Sequence, residues 1–162
     1  MHQEAPSTEG RRQRKKDATR AALYQAGVEL FTTVGLASTT VRDITERADV
    51  AERTFYRYFA SKEDLLLEAA RLYFKAIEEM VARRPAGERP LECLVAVTLE
   101  MEATWPIDDA VTELTDIVMG STMATGRLHQ MVDEHQEVLS GIFAARLGLA
   151  EADYRCHLYA AV

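Results

Sequence analysis

Residues 39–65 read TTVRDITERADVAERTFYRYFASKEDL, a line in which two short helices and the corner between them can be made out. Thr40, with Asp43 three residues on, has the form of a capping box. The N-cap oxygen accepts from an orphan backbone N–H, and the N3 side chain answers the N-cap amide. The pattern predicts a helix from there to about Ala48, burying Val41, Ile44 and Ala48. Asp49-Val50 makes a short break, and the next helix is predicted over Glu52 to Tyr58. Phe55 and Phe59 stand at i and i+4, so they hold this helix to a core and turn Glu52, Arg53, Thr54, Tyr56 and Arg57 outward.

Two helices of about eight residues, joined by a short turn and braced by a preceding helix, have the layout of a helix-turn-helix. An ordinary helical corner with a solvated face would share that spacing, but the outward residues suit a nucleic acid. Arginine reads guanine in a bidentate manner, glutamate accepts from cytosine N4, and threonine can touch a thymine methyl. Tyrosine hydroxyls and lysine ammonium groups suit phosphates.

The whole segment closely resembles the DNA-binding signature of the TetR (tetracycline repressor) family. Val28-Glu-Leu-Phe-Thr-Thr-Val-Gly35 is similar to the end of that family's first helix, and the resemblance covers about residues 14 to 75. It implies an all-α homodimer, usually a repressor, released from a palindromic double-stranded operator by a small-molecule effector. It also implies base-reading roles for Arg42, Glu52, Arg53 and Thr54, and phosphate contacts from Thr40, Tyr56, Arg57, Tyr58 and Lys62. Two positions depart from the family pattern. Asp49 stands where glycine is usual in the turn, though Asp tolerates the left-handed conformation better than most residues. Ala51 stands where a serine N-cap is common, so the recognition helix is expected to start without a side-chain cap.

Upstream, Leu23, Gly27, Leu30, Phe31 and Val34 recur at helical spacing, predicting a helix from Lys16 to Val34 that ends at Gly35. Downstream, Ser61 with Asp64 opens a long fourth helix carrying Leu65, Ala69, Leu72, Ala76 and Met80, which stops before the linker Arg83 to Gly87. Leu91 to Thr104 is apolar on nearly all sides and is expected to be an enclosed helix, stopped by Trp105-Pro106. Further helices are predicted from Asp108 to Met119, capped by Asp108 or Asp109, and from Gly126 to Leu147, ended by Gly148. A last one begins near Glu151 and is still running at Val162.

The expected architecture is all-α. Residues 1–13 are a flexible basic tail, 14–61 the helix-turn-helix domain, and 62–162 a helical ligand-binding and dimerisation domain. The uncapped amphipathic stretch Tyr154 to Val162 predicts a dimer built largely by the last two helices, and a natural chain that continues past Val162.

Charge is divided along the chain. The net charge is −7, yet Gly10 to Lys62 holds eleven Lys/Arg against six Asp/Glu, while Glu63 to Val162 holds eight against eighteen. A basic head on an acidic body confines the attraction for a polyanion to one region. In the body, Met101, Trp105, Met119, His135 and Phe143 are candidates to line a pocket between the 91–104 and 126–147 helices, with Tyr73 and Met123 as further possibilities.

No cofactor or metal is expected, because the histidines His129, His135 and His157 and the cysteines Cys93 and Cys156 lack paired ligand spacing. There is no glycine-rich phosphate loop or nucleophile elbow, so the chain is not expected to be an enzyme. No membrane span or signal peptide is evident, which makes the cytoplasm the expected location. A helical interaction protein that had lost DNA binding would lack the basic face, which is intact here.

Overall fold

In a computed structural model, residues 8–105 and 109–161 are described, and no strand occurs among them. Two compact units divide between Leu66 and Leu67. The head contains α1 (Thr8–Thr33), α2 (Val41–Arg47), α3 (Glu52–Phe55) and α4 (Lys62–Leu66). The body contains α5 (Glu68–Arg83), α6 (Pro90–Thr104), α7 (Asp109–Met119), α8 (Thr122–Arg146) and α9 (Tyr154–Ala160). The first turn after Ser61 therefore belongs with the head. Leu65 is fully buried there, its side chain filling the space beside Gly27 that a Cβ would need.

Several element bounds differ from the sequence expectation. α1 begins at Thr8 rather than Lys16, so the described part of the basic run, Arg11 to Lys16, forms exposed helical turns. Arg, Lys and Gln are good helix formers, and Gln13 donates to Asp17 at 2.9 Å across one turn. α3 is shorter than expected. Tyr56 is its C-cap, and the N–H groups of Tyr58 and Phe59 both donate to the Phe55 carbonyl, at 2.8 and 2.9 Å. The long fourth helix is interrupted at Leu67, whose φ of −83° and ψ of 4° lie in the bridge region. α8 starts earlier than Gly126, at Thr122, because Ser121 caps it by accepting from the Ala124 N–H. α9 starts at Tyr154 on the Asp153 cap rather than near Glu151, and runs to Ala160 with Ala161 as C-cap. Asp108 falls outside the described residues.

The head core is made by Leu23, Ala26, Phe31, Ile44, Phe55, Phe59 and Leu65. The body core gathers Val81, Cys93, Val97, Met101, Leu139, Phe143 and Cys156 from α5, α6, α8 and α9. α6 is not enclosed as its composition suggested. It buries Cys93, Val97 and Met101, but Leu91, Val95 and Leu99 stay more than half exposed on the other face. The Arg83–Gly87 linker is held by the Arg84–Glu88 ion pair and by Arg146. Arg146 donates to the carbonyls of Val81, Arg84 and Pro85 at 3.2, 3.0 and 2.8 Å.

Candidate nucleic-acid interface

The corner that carries the outward residues is built by local hydrogen bonds. The Thr40 hydroxyl accepts from the Asp43 N–H at 3.2 Å, and the Asp43 carboxylate accepts from the Thr40 N–H at 2.8 Å and from its hydroxyl at 2.7 Å. These bonds hold the Asp43 carboxyl below its usual range, the hydroxyl bond contributing most. Asp49 turns the chain with φ +53°, the left-handed conformation expected of it. Ala51 starts α3 with no side-chain cap, also as expected. Arg47 pairs with Glu29, Nε to Oε2 at 3.1 Å, and so ties α2 to α1.

α3 is anchored from beneath. Phe55 is fully buried, packs against the Phe59 ring at 5.6 Å between centroids, and meets Tyr56 edge-on at 5.5 Å. Arg20 of α1 covers the Phe59 ring at 5.1 Å. With the aromatic face fixed, Glu52, Arg53, Tyr56 and Arg57 are exposed and Thr54 is half-buried. The side chains of Glu52 and Arg53 make no hydrogen bond or ion pair among the described residues. Arg57 lies over the Tyr58 ring at 5.0 Å, so that its charge and an aromatic hydroxyl sit side by side.

Three expected DNA contacts already have protein partners: Thr40, whose hydroxyl donates to Asp43, and the cations Arg42 and Lys62. Arg42 donates from Nε to Glu46 at 2.7 Å on the solvent side of α2, a bond that raises the arginine pKa. Lys62 donates from Nζ to the carbonyls of Leu36 and Thr39, at 2.7 and 2.8 Å. Two of its three N–H donors are thus committed to the loop between α1 and α2. Sequence reasoning placed Lys62 at the phosphates and did not foresee this bond, which joins positions 26 apart.

In the body, a cavity of about 780 Å³ opens between α5, α6, α8 and the end of α9. Met101, Trp105 and His135 line it, as does Tyr73. Met119 does not, being exposed on α7, and Phe143 is sealed in the core. Glu78 was missed altogether, although its Oε1 lies 2.8 Å from Nδ1 of His135. Nothing in the residues near Glu78 signals a partner 57 positions away. Both cysteines are free and buried, and burial pushes the Cys93 thiol up, away from a reactive thiolate. Among the described residues, no cluster of His, Cys, Asp and Glu is placed to hold a metal ion, and no helix is long and apolar enough to cross a membrane.

The head thus has a helix-turn-helix layout with an outward arginine-bearing face, and the body holds an apolar cavity. Residues 23–69 match the family model described as bacterial regulatory proteins, tetR family. The chain is 42% identical over 89 residues to the HTH-type transcriptional regulator TcmR of Streptomyces glaucescens, a match covering 55% of this chain and 39% of that one. It is 35% identical over 103 residues to the HTH-type transcriptional repressor KstR of Rhodococcus jostii, covering 64% and 44% respectively. The matches thus span less than half the length of these two curated relatives. Among solved structures, the SmeT–triclosan complex aligns with a TM-score of 0.56 at 20% identity, covering 89% of this chain and 74% of that one. NalD, the secondary repressor of the MexAB-OprM multidrug efflux pump in Pseudomonas aeruginosa, aligns at 0.53 and 21%, covering 90% and 72%. At those identities the two structures establish the all-α fold alone. Over residues 23–69 the chain is thus similar to the tetR family of bacterial regulatory proteins.

Proposed function

We propose that this protein is a cytoplasmic, homodimeric repressor that grips a palindromic operator and releases it when a small molecule fills the body cavity. The observation that carries the reading is the outward face of α3. Glu52 and Arg53 stand exposed and unpaired on a helix whose other face is locked down by Phe55 and Phe59. Arg53, Glu52 and Thr54 read base edges, joined by Arg42 once it exchanges Glu46 for DNA. Thr40, Tyr56, Arg57 and Tyr58 meet phosphates, with the remaining N–H of Lys62. The head, residues 14–61 with α4 behind it, does the reading. The body, residues 67–162, binds the effector and dimerises through α8 and α9; on α9, Tyr154 and Leu158 present 78% and 61% of their surface to solvent. Repression rather than activation follows KstR, which is named a repressor.

Release requires that the effector bind the DNA-free form more tightly than the gripping form, since equal affinity would shift nothing. The test is selection of binding sites from a random DNA pool with the full chain, followed by light scattering. A two-fold symmetric consensus bound by a dimer is expected. Recovery of no consensus, or a stable monomer that binds a full palindrome tightly, would overturn the reading.

A further inference from the structure

The body cavity carries chemistry beyond its size. His135 is nine-tenths buried, and its ring is held on both sides. Phe74 stacks against it at 4.7 Å with 17° between the planes, and Glu78 takes Nδ1. A carboxylate only accepts, so in the neutral ring Nδ1 carries the hydrogen and Nε2 is left as an acceptor. His135 lines the cavity, and Nε2 has no partner among the described residues. Stacked on Phe74 and held by Glu78, the ring keeps Nε2 at the cavity as an acceptor that a ligand's donor can meet.

The walls narrow the choice of ligand. Tyr73 and Trp105 meet edge-on at 6.0 Å, and with Phe74 and Tyr159 they give the cavity an aromatic lining. Its volume lies within the range of about 300–1,000 Å³ usual for small-molecule sites. No Lys or Arg is among the lining residues. A carboxylate or phosphate would lose its water with no fixed cation to replace it. A cation fares little better, because Glu78 is already paired with His135 and the Glu102 side chain at the rim is exposed, where water screens it.

We propose that the cavity selects an uncharged polycyclic aromatic molecule bearing a hydroxyl, and that this hydroxyl donates to Nε2 of His135. The assignment rests on the reading of the body as an effector chamber and adds the chemistry the chamber accepts.

The test uses four probes of one shape: pyrene, 1-hydroxypyrene, 1-pyrenecarboxylate and 1-pyrenemethylammonium. Trp105 is the single tryptophan of the chain, so energy transfer from its indole to a bound pyrene reports occupancy at this cavity. On the unaltered full chain, 1-hydroxypyrene is expected to bind roughly five- to tenfold more tightly than pyrene, the worth of one buried hydrogen bond. Both charged probes should bind at least ~10-fold more weakly than the hydroxyl. His135→Phe keeps the stack on Phe74 but removes Nε2. It should erase the preference for the hydroxyl, so that 1-hydroxypyrene and pyrene bind within about twofold of each other. Equal binding of pyrene and 1-hydroxypyrene, a charged probe binding tightest, or a hydroxyl preference that survives His135→Phe would each overturn the assignment while leaving the effector chamber standing. If no probe reached Trp105, the chamber itself would fall. The ranking on the unaltered chain decides the matter even where His135→Phe does not fold.

Discussion

In the head, the groups proposed to face DNA lie in one run from Thr40 to Lys62, and they are displayed. Glu52, Arg53, Tyr56 and Arg57 stand in solvent on a helix fastened from behind. In the body, the groups proposed to face a ligand come from four helices, and they are enclosed. His135 and Glu78 meet from positions 57 apart, and only a tenth of the histidine is exposed. Display needs a rigid underside and little else, so a short local stretch can encode it. Enclosure needs distant helices to agree on where they pack, so no local stretch encodes it. The two regions should therefore fail in different ways.

Phe55 tests the underside of the head. It is fully buried beneath α3, and Phe55→Ala should cost about 3–5 kcal/mol of head stability and abolish selective DNA binding. Urea denaturation followed by circular dichroism checks the first effect, and a gel-shift titration the second. Retention of selective binding by this variant would mean that α3 is held by something other than its aromatic face.

Arg146 is the corresponding fastening in the body. Its side chain is 8% exposed and serves four carbonyls at the corner between α5 and α6, those of Val81, Arg84, Pro85 and Glu88. Arg146→Met keeps much of the volume but strands those acceptors, and should cost about 3 kcal/mol. Denaturation followed by Trp105 emission reads this directly. A loss under about 0.5 kcal/mol would show that water satisfies the corner unaided.

Arg53 and Lys62 sharpen the contrast within the head. Arg53→Ala should cost about 1–3 kcal/mol on the selected operator and little on scrambled DNA. Lys62→Ala removes the donor to Leu36 and Thr39 as well as any phosphate contact. It should weaken both DNAs alike and lower head stability by about 1 kcal/mol. The same loss on both DNAs from both variants, with unchanged stability, would be incompatible with the proposed docking.

The smallest effect lies at the start of α9. Asp153 caps this helix, and its bond from Arg155 above all holds the carboxyl down from 3.8 to about 2. A depressed folded pKa means a contribution that is complete above the unfolded value and is lost as pH falls toward the folded one. Asp153→Asn keeps a capping oxygen without the charge. Melting temperatures of the two proteins should run parallel from neutral pH down to about 4 and converge only below that. Convergence already near neutral pH would assign the difference to another group.

The same contrast explains what could be read in advance. The capping box at Thr40 and Asp43, the left-handed Asp49 and the uncapped start at Ala51 all follow from residues no more than four apart, and the structure holds each of them. The limit of α3 did not follow, because its end is set by the burial of Phe55 and Phe59 rather than by propensity. Nor did the true length of α1, where straight-chain basic residues extend a helix that apolar periodicity placed later. In the body, composition made α6 look enclosed, yet its neighbours cover one face only. Met101, Trp105 and His135 line one cavity, while Met119 and Phe143 share an apolar character but lie elsewhere. Apolar spacing marks a face as inward without telling cavity from core.

The bond from Lys62 to the Leu36 carbonyl also bears on the connectivity of the head. It closes a ring of backbone that runs through the whole of α2, the Asp49 corner and α3, and returns to its own start. Loop-closure entropy grows only slowly with ring size, so one ammonium can hold this segment shut at modest conformational expense. Both α2 and α3 lie inside that ring, and the clasp that closes it lies outside both helices.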